Sequence, residues 1–95
     1  MECDRIEFSG HAVRRMFERQ ITEDAVIDAV RHGEVIADYP EDEPYPSFVI
    51  LGKAEDRPLH VVVGVDAESN RTRVITVYVP EPDLWSEDFR TRRIP

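Results

Sequence analysis

Cysteine is nearly absent: Cys3 stands alone, so no disulfide can form within the sequence. Long apolar runs are missing as well. None approaches the roughly 20 residues that a membrane-spanning helix needs. The start, Met1-Glu2-Cys3-Asp4-Arg5, lacks the basic-then-apolar pattern of a signal peptide. The expectation is a soluble, cytoplasmic protein. Glycine is sparse, with four isolated residues, which excludes a glycine-rich phosphate loop. There is no Gly-x-Ser-x-Gly elbow for a serine nucleophile. Cys3, His11, His32 and His60 do not stand at the short spacings of a zinc module, so neither metal nor cofactor is expected. Basic charge is also in deficit: 12 Lys and Arg against 20 Asp and Glu leave a net −8. That argues against a non-specific nucleic-acid binder, whose affinity comes largely from neutralising phosphates. It does not exclude a local basic site. Arg14, Arg15 and Arg19 cluster early, and Arg90, Arg92 and Arg93 cluster late.

What is present is a globular composition, 41% hydrophobic and 34% charged, over 95 residues. One domain, 1–95, with one core is expected. Ser9 reads as an N-cap, and the helix after it ends near Arg19 or Gln20. At about 100° per residue, Ala12, Val13, Met16 and Phe17 fall on one arc, the expected core face. His11, Arg14, Arg15 and Glu18 fall on the opposite arc, with Arg19 at its edge. Thr22 caps a second helix, with Glu23 and Asp24 in its first turn and Ile21 and Val26 as a hydrophobic staple. Val26, Ile27 and Val30 form its buried stripe. Arg31 and His32 occupy its last turn, and Gly33 is expected to close it in a left-handed conformation.

The period then changes to alternation. Strands are expected at residues 35–39, 48–54, 59–66 and 72–79, separated by a proline-rich acidic loop at 40–47 and by two turns. Asp83 can cap a short turn that brings Trp85 and Phe89 to i,i+4 spacing. The expected fold is α+β: an N-terminal helical hairpin followed by a four-stranded antiparallel sheet. Leu59, Val61, Val63 and Val65 share one side of the third strand. Ile75, Val77 and Val79 share one side of the fourth. These seven are the expected sheet core.

The other sides of those strands carry His60, Thr76 and Tyr78. Pairing Asp66 near Thr72 sets His60 opposite Tyr78, and a two-residue slip keeps all three on one face. Opposed side chains there lie about 4.5–5.5 Å apart at Cβ, close enough for a shared site. A polar outer face, with its histidine satisfied by a neighbour, explains the same pattern.

The blocks Phe8-Ser9-x-His11-Ala12-x-x-Arg15-Met16-x-x-Arg19-x-Ile21, Gly33-Glu34-Val35-Ile36, Arg57-Pro58-Leu59-His60-Val61-Val62 and Ile75-Thr76-Val77-Tyr78 resemble a bacterial family, domain of unknown function 4258. Tyr39-Pro40-x-Asp42-x-Pro44-Tyr45-Pro46-Ser47 and Trp85-x-x-Asp88-Phe89-x-x-Arg92-Arg93 extend the resemblance over about 6–93. It implies a fold like that of barnase and RelE-type ribonuclease toxins, and a small zinc-finger antitoxin as partner. Gln20 departs from the glycine common at its position, so a less positive φ is expected there.

Two functions follow as expectations. The first is a metal-independent endoribonuclease of toxin–antitoxin type acting on RNA. His60 or His11 would serve as acid or base, Tyr78 would stack a base or donate a proton, Thr76 would orient a phosphate oxygen, and Arg15 and Arg19 would hold phosphate. It requires the first helix to lie across a sheet edge, so that His11 and Arg15 look toward His60. The alternative is a non-catalytic binding or regulatory module that docks a partner protein, favoured by the net charge and the acidic loop.

Overall fold

Strand pairing begins before the first helix. The computed structural model describes Met1 and residues 5–93; Cys3 lies outside them. Arg5-Ile6-Glu7-Phe8 forms a short strand, β1 (Arg5–Phe8), with Ile6 and Phe8 packed against the core. Then come α1 (Gly10–Arg19), α2 (Glu23–His32), β2 (Glu34–Tyr39), β3 (Ser47–Ala54), β4 (Arg57–Asp66) and β5 (Arg71–Tyr78). The sheet order is β1-β5-β4-β3-β2. β1 runs parallel to β5, while the other neighbours are antiparallel. The sheet is therefore five-stranded and mixed, not four-stranded and antiparallel, and the helices are not the first element. Four residues hold too little alternation to declare a strand. A parallel partner is also invisible to hairpin logic, because it pairs with the far end of the chain.

Ser9 ties α1 to the sheet. Its Oγ accepts from the Ala12 N–H at 3.0 Å and donates to the Ile75 carbonyl at 2.8 Å. The helix ends at Gln20, which takes a left-handed φ of 56° despite its side chain. The Ile21 N–H then reaches back to the Met16 carbonyl at 2.9 Å, and both side chains join the core. The expectation of a less positive φ at Gln20 is thus corrected. Gly33 is corrected in the other direction: its φ is −74°, in the extended region. Glycine is needed there for space, since a Cβ would lie 2.4 Å from the Ala29 oxygen and 2.6 Å from the Leu51 oxygen.

Both helices pack on one face of the sheet, α1 on β5 and α2 on β3 and β4. The core between them holds Ala12, Met16, Val26, Val30, Leu59, Val61, Val63 and Val77, among others. The buried arc of α1 is narrower than expected. Val13 is 53% exposed and Phe17 87% exposed, because only the stripe through Ala12 and Met16 reaches the sheet.

The register of β5 against β4 shifts part-way along the strand. His60 pairs with Tyr78, Val61 with Val77 and Val62 with Thr76, but Val63 pairs with Val74. Ile75 is the extra residue of a β-bulge. Beyond it the faces exchange: Val74 and Thr72 are buried, and Ile75, an expected core residue, is 40% exposed. Among the described residues no helix is long and apolar enough to cross a membrane.

Candidate functional site

Leu59 and Val61 face the helices, so the strand's alternation turns His60 to the other face of the sheet. Residues 84–93 cross that face. Pro80 and Pro82 follow β5 and cannot continue its ladder. A tight loop then closes on itself. Ser86 N–H donates to the Thr91 carbonyl at 2.8 Å, Arg93 N–H donates to the Leu84 carbonyl at 2.8 Å, and Trp85 bridges to Arg92. No helical turn joins Trp85 to Phe89, contrary to the expectation, and Phe89 takes a φ of 61°. Arg90 straps the loop to the far edge strand. Its Nε and Nη2 donate to the Glu34 carboxylate at 2.8 and 2.9 Å, and Asp88 lies 3.4 Å away. The Arg90 hydrogen bond above all holds the Glu34 carboxyl below its usual range; lost solvation and the nearby Asp88 push it up, and the Arg90 charge draws it down.

Under this loop His60 is 0% exposed. Its Nε2 lies 2.8 Å from the Phe89 carbonyl oxygen, which can only accept, so Nε2 carries the hydrogen. In the neutral ring, Nδ1 then accepts from the Tyr78 hydroxyl at 3.1 Å. The Trp85 ring stands edge-on to the imidazole, with centroids 4.4 Å apart, and the Tyr78 ring does so at 5.2 Å. Burial pushes the His60 pKa below its ordinary value, and the Phe89 carbonyl pulls it partly back. Burial pushes the Tyr78 phenol up, while the nearby Arg92 charge draws it down.

Tyr78 opens into a groove of about 440 Å³ lined by Ile36, Tyr39, Tyr78, Trp85, Arg90 and Arg92, among others. Its floor is the sheet and its wall is the loop. Arg90 is committed to Glu34 and Asp88. Arg92 makes no ion pair among the described residues. The groove thus offers aromatic rings, one phenol tied to a buried imidazole, and one uncommitted guanidinium.

The sequence-derived candidates divide between the two faces. His60 and Tyr78 are in contact, and Thr76 lies on their face of β5, half-buried opposite Val62. His11, Arg15 and Arg19 belong to α1, which covers the other face. His11 is exposed, Arg15 pairs with Glu18 at 3.2 Å, and Arg19 is exposed, its carbonyl accepting from Arg57 at 3.1 Å. The structure does not bring these three to His60, because α1 rests on the apolar side of the sheet and not across its edge. Sequence pattern alone does not point to Tyr39, Trp85, Arg90 or Arg92 as site residues, yet they line the groove. The late arginine cluster and Trp85 were visible, but only the loop's return path sets them beside Tyr78. Among the described residues no three His, Cys, Asp or Glu side chains form a metal-binding group.

Residues 8–79 match the family described as Domain of unknown function (DUF4258). No curated protein and no solved structure matches the chain.

Proposed function

The chain belongs to the DUF4258 family, whose description assigns no activity, and we propose on the groove's chemistry that it is a small endoribonuclease acting on single-stranded RNA. The likeness to barnase and RelE-type toxins is part of this proposal. The observation that carries it is the hydrogen-bond chain from the Phe89 carbonyl through His60 to the Tyr78 hydroxyl, which ends in a groove beside Arg92. A reactive group, a base behind it and a third group that orients the base is the arrangement such chemistry needs.

In this reading, bases stack on Tyr39 and neighbouring rings, and Arg92 pairs with a phosphate. The ribose 2′-hydroxyl attacks the adjacent phosphorus. Its proton passes to the Tyr78 oxygen as the Tyr78 proton moves to His60 Nδ1. The 2′-O–P bond forms and the P–O5′ bond breaks. The 5′ oxygen then recovers a proton by the same path, leaving a 2′,3′-cyclic phosphate and a free 5′-hydroxyl. His60 touches no substrate and is a positioning and proton-holding residue. Its imidazolium is transient, disfavoured by burial and supported by the Phe89 carbonyl. Arg92 gives local charge on a chain whose total is −8.

The second reading, a non-catalytic docking module, is favoured by a specific observation: both ring nitrogens of His60 are engaged and the ring is sealed from solvent. Single-turnover incubation with end-labelled, mixed-sequence RNA in EDTA separates the two. The ribonuclease reading expects cyclic-phosphate ends, with cleavage slowed about 100-fold or more in Tyr78→Phe. It also expects RNA binding weakened about tenfold in Arg92→Gln. RNA bound but uncut supports a non-catalytic module. RNA neither bound nor cut removes RNA from the account.

A further inference from the structure

We propose that the exposed ridge of α1 is a docking surface for a partner protein segment carrying apolar side chains among acidic ones. The site lies on the helix layer, away from the groove, and does not depend on the ribonuclease reading. Phe17 is 87% exposed and Val13 is 53% exposed. They stand one helical turn apart and present a continuous apolar ridge. Gly10 extends it by one more turn towards the N-terminus. A Cβ at Gly10 would meet nothing within 4 Å, so the ridge ends in open space there.

Charge identifies the occupant. α1 carries Arg14, Arg15 and Arg19 against one acid, Glu18, which is taken by Arg15. Arg14 lies next to Val13 in the chain, exposed and without an ion pair among the described residues. A helix of positive charge thus stands on a chain of net charge −8. An acidic partner is repelled by the rest of the surface and drawn to this helix. An aromatic ring with neighbouring arginines is also the composition of an interface hot spot. A second copy docked ridge to ridge fits poorly, because it sets arginines against arginines. RNA fits poorly as well, because the aliphatic Val13 forms half of the ridge and has no stacking face.

The test uses the whole chain, ¹⁵N-labelled, titrated with a synthetic amphipathic peptide of leucines at i,i+4 spacing among glutamates. Its lysine counterpart and an oligouridine serve as comparison probes. The expected result is saturable shifts at the amides of residues 10–19 with the acidic peptide. Binding should weaken about tenfold or more in Phe17→Ser and in Arg14→Glu and fall as salt rises. Phe17 is outside the core, so Phe17→Ser should keep the dispersed spectrum of the folded protein. Equal binding of the lysine peptide, shifts centred outside α1, or binding indifferent to Phe17→Ser overturns the proposal. So does no binding of the acidic peptide. Displacement by oligouridine at α1 would make the ridge an RNA surface, and a concentration-dependent dimer abolished by Phe17→Ser would make it a self-interface. Either result also overturns it.

Discussion

Gln20 holds a backbone conformation that glycine adopts without strain. At φ 56° its Cβ is crowded by its own backbone, and a left-handed L-residue costs roughly 1–2 kcal/mol. Glycine relieves that crowding but orders a more flexible residue on folding. The net expectation is that Gln20→Gly stabilises the fold by up to about 1 kcal/mol, read as a higher urea midpoint at unchanged m. Gln20→Ala, which keeps the Cβ, should leave the midpoint nearly where it is. The corner itself was legible, because Arg19, Gln20 and Ile21 separate one helical pattern from the next cap. The sign of φ was not. It depends on Ile21 and Met16 meeting in the core, a tertiary demand that overrides the preference of glutamine. Gly33 shows the converse. Its position after a helix suggested a left-handed cap, yet what it supplies is room between Ala29 and β3.

At the scale of the element, β5 shows how one residue redirects a strand. Uniform alternation gave the correct face for Tyr78, Thr76 and Val77, and His60 does pair with Tyr78. It gave the wrong face for Ile75, because the bulge there inserts one residue and reverses the remainder of the strand, which buries Val74 and Thr72. The reversal leaves the Thr72 Oγ1 buried without a hydrogen-bond partner among the described residues. Burying an unpaired hydroxyl costs about 1–3 kcal/mol. Thr72→Val keeps the shape and removes the polar atom, so it should stabilise the protein by about 1 kcal/mol or more, measured as a rise in thermal midpoint. Thr72→Ser keeps the hydroxyl and loses a buried methyl, and should lower that midpoint. Among the helices, caps and stripes were legible at Ser9, Thr22, Val26 and Val30. The outer limit of the buried arc at Val13 and Phe17 was not, because it depends on how much of the helix the sheet covers.

For the whole molecule, the return of residues 84–93 across the sheet seals His60 on a face that is otherwise polar and partly open. Burial lowers the His60 pKa below the ordinary value of 6.5. On acidification the unfolded chain therefore takes up this proton before the folded one does. The stability that depends on neutral His60 is fully present above that ordinary value. It is lost as pH falls from there through the folded pKa. Denaturation midpoints should consequently drop on acidification through the histidine range. His60→Gln, less stable at neutral pH, should show a flatter profile over that range. The amino-acid sequence alone determined two capped helices, the strands from β2 to β5 and the facing of His60 with Tyr78, because caps and side-chain periods are local properties. Long-range packing set β1 parallel to β5, placed α1 on the opposite face from His60, and returned Trp85, Phe89 and Arg92 to enclose or flank the imidazole–phenol pair. Those outcomes depend on contacts between distant parts of the chain, which compete for the two faces and edges of one sheet.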